Sequence, residues 1–176
     1  MAILPIRIVP DPVLRRRCAE VERFDAELRR LAADMVETMH AAPGIGLAAP
    51  QVGDARRLMV VDLSVGEDPD QLRVFINPRI VAREGSVADV EGCLSIPEVS
   101  DKVTRPRAIR VEAQDLAGER FALDAEDWLA RAICHEVDHL DGILFVDHLS
   151  GLRRERAMRQ LRRLVRAAEQ PAEVTA

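Results

Sequence analysis

No run of apolar residues in this chain approaches the roughly 20 residues that a helix needs to cross a membrane. Residues 1–6 contain no basic leader and no long apolar region, so we expect neither export nor import into an organelle. The chain has only three cysteines, an odd number without disulfide spacing, which favours a reducing compartment. These absences predict a cytoplasmic protein.

The length of 176 residues suits one domain, and no internal repeat or long linker divides the chain. Asp25 can cap a helix whose apolar residues recur on one face, and Pro43-Gly44 ends that helix. Further helices are predicted over residues 125–140 and 152–168. Extended runs are predicted at residues 58–63, 74–76, 80–83, 109–113 and 120–123, with a hairpin turn at 115–118. The pattern indicates an α+β fold.

The segment with the clearest chemistry is His135-Glu136-x-x-His139, inside the second predicted helix. Two histidines four residues apart project from the same face of a helix, where they can share one divalent metal. Glu136 is placed to handle the proton of a water that such a metal activates. The motif predicts a metal-dependent hydrolase and leaves the third metal ligand open.

Cys93 remains as the third ligand when the other candidates are compared. Phe145 stands where one class of metalloproteases has a third histidine, and Phe cannot coordinate a metal. Cys134 points roughly 100° away from its helical neighbour His135, and His148 lies beyond the expected helix end. Cys93 follows a glycine in a short, loop-like stretch, and a thiolate with two imidazoles leaves the fourth position open, as catalysis requires.

Residues 44–51 form a third segment of interest. Gly44 and Gly46 let the backbone pass close to a ligand, and Gln51 offers an amide donor. The segment lacks the third glycine of the dinucleotide fingerprint and the Lys-Ser/Thr of the P-loop. It is therefore neither a dinucleotide loop nor a phosphate loop.

Taken together, the three segments closely resemble the three motifs of peptide deformylases, in the same order and at spacings typical of that family. The resemblance covers essentially the whole chain. Its motifs are Gly44-x-Gly46-x-Ala48-Ala49-x-Gln51, Glu91-Gly92-Cys93-Leu94-Ser95 and His135-Glu136-x-x-His139. One departure is Cys134, where many members carry Gln, and we expect it to change packing only.

The resemblance implies a single α+β domain over residues 1–170, with antiparallel sheets packed around a central metal-binding helix and an additional C-terminal helix. Residues 171–176 are expected to form a loose tail. The implied reaction removes the N-formyl group from the N-terminal methionine of newly made polypeptides and releases formate. Glu136 would carry the proton, and the Gln51 amide and the Leu94 backbone N–H would stabilise the oxyanion.

The metal is harder to predict. A Cys-His-His site suits zinc by softness and geometry. The resemblance implies iron(II) as the usual native ion, replaceable by zinc, nickel or cobalt. The sequence does not decide between these ions.

Helix geometry also predicts part of a substrate pocket. Positions three, four and seven before His135 are Ala132, Arg131 and Trp128, near the metal-binding face. Ala132 leaves room, and Trp128 is either an apolar wall for a methionine side chain or ordinary core. Arg131 is expected to line the rim or to bind peptide carbonyls. With Gly44, Ile45 and Gly46 they are the candidate substrate-binding residues.

Two further contacts are predicted. By resemblance, Glu91 pairs with Arg105, which would hold the Cys93 loop if the pair is buried. Residues 153–166 hold seven arginines and one glutamate, a net charge of +6, whereas the whole chain carries −5. Such a helix could contact ribosomal RNA, or it could be a solvated outer face that packs on the body.

Two alternatives stay open. An endopeptidase could use the same His135-Glu136-x-x-His139 pair, although the usual third His or Glu is absent. A non-catalytic metal-binding module is the other, although structural zinc sites are normally closed by four protein ligands.

Overall fold

The computed structural model describes residues 2–169, with side chains as far as residue 166. Its α-helices are α1 (Ala26–Ala41), α2 (Asp127–Leu140) and α3 (Gly151–Glu169). The Asp25 side chain accepts a hydrogen bond from the Leu28 amide at 3.1 Å, which caps α1 as predicted. The three predicted helices are confirmed with ends that differ by one or two residues. The proposed tail, 171–176, lies outside the described residues.

Five strands form the larger sheet, in the order β1-β2-β3-β6-β7, and every neighbouring pair is antiparallel. Their bounds are β1 Gly46–Ala48, β2 Leu58–Val61, β3 Arg73–Glu84, β6 Ala108–Gln114 and β7 Arg120–Glu126. The runs predicted at 74–76 and 80–83 belong to the single long strand β3. Its pairing with β6 shifts register around Pro78, which explains why the sequence pattern predicts two separate strands here.

A two-stranded hairpin was missed by the sequence analysis. It consists of β4 (Val87–Cys93) and β5 (Ile96–Arg105), so Cys93 ends a strand and is followed by a tight turn. The expectation of a loop-like stretch was wrong for Glu91, Gly92 and Cys93, and it holds for the turn at Leu94 and Ser95. The register shifts between Gly92 and Cys93, where the strand meets the turn.

Three apolar clusters fill the interior. The first packs the inner face of α2, including Ile133 and Val137, against the larger sheet. The second packs α1 on β2, and the third joins the β4–β5 hairpin to α3 through Ala157 and Leu161. The fold is a single-domain α+β structure with α2 at its centre, which confirms the predicted class. None of the described helices is both long and apolar enough to span a membrane.

Candidate metal centre and catalytic pocket

Cys93, His135 and His139 lie together. One ligand atom from each of the three lies within 4.8 Å of the other two. The Cys93 Sγ is 3.2 Å from His139 Nε2, and the two imidazole rings are 5.0 Å apart between centroids. The histidines share a face of α2 because they are four residues apart, and the end of β4 brings the thiol to that face.

Glu91 supports the first histidine. Its Oε2 lies 3.0 Å from His135 Nδ1, so the other ring nitrogen, Nε2, is left for the metal-binding side. Arg105 donates to both Glu91 oxygens, at 2.9 and 3.0 Å, and both side chains are buried. Burial raises the pKa of Glu91, but the hydrogen bonds from His135 and Arg105 outweigh it and hold that pKa well below its usual value.

The buried pair of Glu91 and Arg105 extends to a second acid. Arg105 also donates to Asp138 in α2, and Asp138 lies 2.7 Å from the ring of the exposed His148. Burial raises the pKa of Asp138, and its bonds to His148 and Arg105 lower it further than burial raises it. Asp138 could not be singled out from the sequence, because a helical aspartate normally faces solvent.

Glu136 is buried beside the metal ligands. A Cβ on Gly46 would lie 2.5 Å from Glu136 Oε1, so only glycine lets β1 pass this carboxylate. Burial raises the pKa of Glu136 to about 7, and the charge of His135 opposes that rise. Its Oε2 has no hydrogen-bond partner among the described residues. A carboxyl group of this kind is suited to take up and release a proton.

Gln51 reaches the same place from the short 3-10 helix Ala49–Val52, which follows β1. Its carbonyl accepts from the Ala48 amide at 2.8 Å, which fixes the side-chain amide group. Its Nε2 lies 3.3 Å from Ser95 Oγ and 3.7 Å from Cys93 Sγ. Leu94, next to Cys93, lines the same pocket, so both expected oxyanion donors belong to residues beside the metal ligands.

A pocket of about 490 Å³ opens over this site. Its wall contains every candidate substrate-binding residue of the sequence analysis. It also contains residues that the sequence analysis did not single out as lining, namely Pro43, Val90, Glu91, Gly92, Pro97 and Glu98. The β4–β5 hairpin supplies most of these, and they were missed because the hairpin itself was missed.

The candidate pocket residues differ in what they do. Trp128 is 51% exposed and stands at the pocket, so the alternative that it is ordinary core is wrong. Ala132 is buried in the pocket wall. Arg131 was expected at the rim, but its guanidinium is buried and bonds to Glu91 and to backbone carbonyls of Val87 and Val103. The expectation of a place at the rim is therefore wrong, and three of the five N–H donors of Arg131 bond to the protein itself instead of to a peptide.

The donor set fits one divalent metal. A thiol and two imidazoles from different elements converge, and Glu91 fixes the tautomer of His135. Burial holds the pKa of His139 well below its usual value, so its ring is neutral, as a metal ligand must be. Three protein ligands leave a position for water or substrate. The expected ligand set and the open fourth position are thus compatible with the geometry.

Comparisons with known proteins all point to one family. Residues 3–155 match the sequence model of the family described as polypeptide deformylase. A peptide deformylase of Acidobacterium capsulatum is 50% identical over 169 residues, which cover 96% of this chain and 99% of the relative. The crystal structure of a Legionella pneumophila peptide deformylase has a TM-score of 0.89 at 42% identity, covering 97% of this chain and 100% of that one. The peptide deformylase of Thermus thermophilus has a TM-score of 0.86 at 46% identity, covering 93% and 96%.

Proposed function

This chain belongs to the polypeptide deformylase family, and we infer that it removes the N-formyl group from the N-terminal methionine of newly made polypeptides, releasing formate. The reaction is the hydrolysis of a linear amide. The single observation that carries this inference is the convergence of Cys93, His135 and His139, with the buried Glu136 beside them at one pocket.

The catalytic residues and the metal ligands have separate roles in this reaction. Glu136 takes the proton of the attacking water and returns it to the departing amine, and a pKa near neutrality suits both steps. The Gln51 amide and the Leu94 backbone N–H donate to the developing oxyanion, each worth about 3 kcal/mol. A divalent metal held by Cys93, His135 and His139 supplies Lewis acidity and lowers the pKa of water.

The substrate side chain occupies the apolar part of the pocket. Gly44, Ile45 and Gly46 line it from the segment that leads into β1, and Ala132 and Trp128 line it from α2. Ala132 leaves room for an unbranched side chain, and the exposed ring of Trp128 offers an apolar surface. Methionine fits this description because it is flexible and apolar. The aliphatic stem of Arg131 adds to the wall, and its charged head does not face the substrate.

We further propose iron(II) as the native metal, with zinc, nickel or cobalt able to replace it. The mixed thiolate and imidazole set accepts all four ions. We also propose that the protein works in the cytoplasm, where new polypeptides carry the formyl group.

Contact with ribosomes is proposed for α3. Arg153, Arg154 and Arg159 are paired with acids of this chain. The other four arginines of the helix are exposed and pair with none of the acids whose side chains the structure describes; they are Arg156, Arg162, Arg163 and Arg166. Unpaired cations on one helix suit a phosphate-rich surface. The helix cannot simply be deleted for a test, because Ala157 and Leu161 are buried in the third cluster.

The ribosome test therefore replaces those four arginines with Gln. Cosedimentation with ribosomes at low salt is expected to fall by roughly 10-fold or more, because phosphate contacts dominate such binding. Its control replaces four exposed arginines elsewhere, Arg16, Arg29, Arg30 and Arg120. Equal losses of cosedimentation in both variants would mean that binding depends only on the net charge of the protein. No loss in either variant would contradict the proposal.

The activity itself is tested with protein purified without oxygen and its metal content measured. Formate release from a formyl-Met peptide is expected, without cleavage of the same peptide lacking the formyl group. Glu136→Gln should retain the metal and lose turnover by about 100-fold or more, whereas the exposed Glu119→Gln should match the parent. Cleavage inside the unformylated peptide would instead indicate an endopeptidase.

A further inference from the structure

Arg131 is a buried arginine whose charged head has no role in the proposed reaction. It lies in α2, one turn before His135, and its side chain is only 5% exposed. Arginine is almost never buried to this extent unless it is paired. The partners of its guanidinium therefore indicate its role.

Within the described part of the chain, the hydrogen bonds of the Arg131 head all go to the β4–β5 hairpin. Its Nη1 donates to Glu91 Oε1 at 2.6 Å and to the Val103 carbonyl at 3.0 Å. Its Nη2 donates to the Val87 carbonyl at 2.9 Å. The planar guanidinium thus joins Val87 of β4, Val103 of β5 and the carboxylate of Glu91. The point charge of lysine cannot reproduce this geometry.

These contacts connect the two elements that carry the metal ligands. The hairpin ends β4 with Cys93, and Glu91 lies two residues before it on the same strand. The helix carries both histidines, and Glu91 is bonded to the ring of His135. Arg131 therefore fixes the thiol-bearing strand against the imidazole-bearing helix by direct hydrogen bonds.

Arg105 makes part of this connection from the other side. Arg105 belongs to β5 and donates to the same Glu91 carboxylate, which joins the two strands of the hairpin. Its bond to Asp138 then links the hairpin to α2. The charges of Arg105 and Arg131 balance those of Glu91 and Asp138 in this group, of which only Asp138 is partly exposed. Removal of Arg131 would leave the carboxylates in excess and free two backbone carbonyls.

We propose that Arg131 is a positioning residue for the metal site, which sets the separation between the Cys93 thiol and the two histidines before the metal binds. The proposal rests on the proposed ligand set. Partners that orient metal ligands typically change metal affinity by 10- to 100-fold. Because Arg105 still holds Glu91, we expect the loss of Arg131 to lower the affinity by about 10-fold.

Arg131→Met is the principal test variant, because methionine keeps an apolar stem in the pocket wall and removes every hydrogen bond. Zinc affinity is measured by competition with a coloured chelator, well below the unfolding temperature. The absorption spectrum of the cobalt-loaded protein reports the ligand geometry. The expected results are a roughly 10-fold weaker zinc affinity, an altered cobalt spectrum and an unchanged KM for the formyl-Met peptide.

Arg131→Lys and Arg110→Met complete the series. Lysine restores the charge without the forked geometry, so we expect an intermediate zinc affinity. Arg110 forms an exposed pair with Asp124, so its loss should leave zinc affinity unchanged. Should Arg131→Met fail to fold, the lysine variant alone decides.

A zinc affinity within two-fold of the parent in folded Arg131 variants would overturn the proposal. A lower unfolding temperature would not rescue it, because a purely structural residue lowers stability without changing zinc affinity. A raised KM with normal zinc affinity would also overturn it and return Arg131 to the substrate. The zinc measurement needs no peptide, so it can be interpreted even if the protein does not have the proposed deformylase activity.

Discussion

The contact between Gly46 and Glu136 leads to a prediction at the scale of single residues. In Gly46→Ala the new Cβ would lie 2.5 Å from Glu136 Oε1, and the carboxylate must move. We expect kcat for formate release to fall on the order of 100-fold, because a proton carrier displaced by about 1 Å loses its geometry. Zinc content should stay at that of the parent.

Gly151→Ala is the control for that variant. A Cβ at Gly151 meets nothing within 4 Å, so turnover should be unchanged. If Gly46→Ala kept full turnover, the carboxylate position assigned to Glu136 would not matter for the reaction. If Gly46→Ala lost its metal as well, the loss of turnover would result from disturbed metal ligands and not from a displaced Glu136.

The predictability of the site also differs between residues. The histidines of α2 follow directly from helix periodicity, which puts residues four apart on one face. Cys93 could be selected by setting other candidates aside and by the resemblance of its motif, but not from periodicity. The burial of Arg131 could not be predicted, because an arginine on a helix is normally exposed and its partners come from strands 28 to 44 residues away in sequence.

At the scale of elements, the end of α2 is set by Gly142. Its φ is +75°, and its amide and that of Ile143 bond back to the His139 and Asp138 carbonyls, which closes the helix. A Cβ there would lie 2.6 Å from the Arg15 carbonyl oxygen. We expect Gly142→Ala to lower the free energy of unfolding by roughly 3 kcal/mol, measured by urea denaturation.

Gly118→Ala separates the two causes of that loss. Gly118 also has a positive φ, +86°, but a Cβ there meets only the Phe24 ring at 3.4 Å. Backbone strain alone should cost about 1 kcal/mol. Equal losses at the two positions would mean that the clash with the Arg15 carbonyl is relieved by a small shift of the chain.

The β4–β5 hairpin shows why an element can escape prediction. Most β4 residues are polar or exposed, and its buried member is the charged Glu91. Strand patterns are recognised by alternating apolar residues, and β4 has no such alternation. By contrast, β6 and β7 alternate well, and the turn predicted at residues 115–118 lies between them.

At the scale of the whole molecule, the metal site joins two separate parts of the interior. The histidines project from α2, whose buried apolar residues pack in the first apolar cluster, whereas Cys93 packs with the third cluster, which contains Ile96. Apart from the site, α2 meets the hairpin through the buried group of Glu91, Arg105 and Arg131. The α+β class could be predicted from periodicity, but this division of the core could not, since it depends on contacts between distant segments.

A metal that bridges two clusters should stabilise the whole fold. A metal at 1,000 times its Kd adds about 4 kcal/mol to the free energy of unfolding. For a chain of this length we expect a chelator to lower Tm by about 10 °C, measured by thermal unfolding. Cys93→Ala should have a Tm that responds little to added zinc or to chelator. A parent protein with one tightly bound metal and a Tm indifferent to its removal would mean that the two clusters hold together without this bridge.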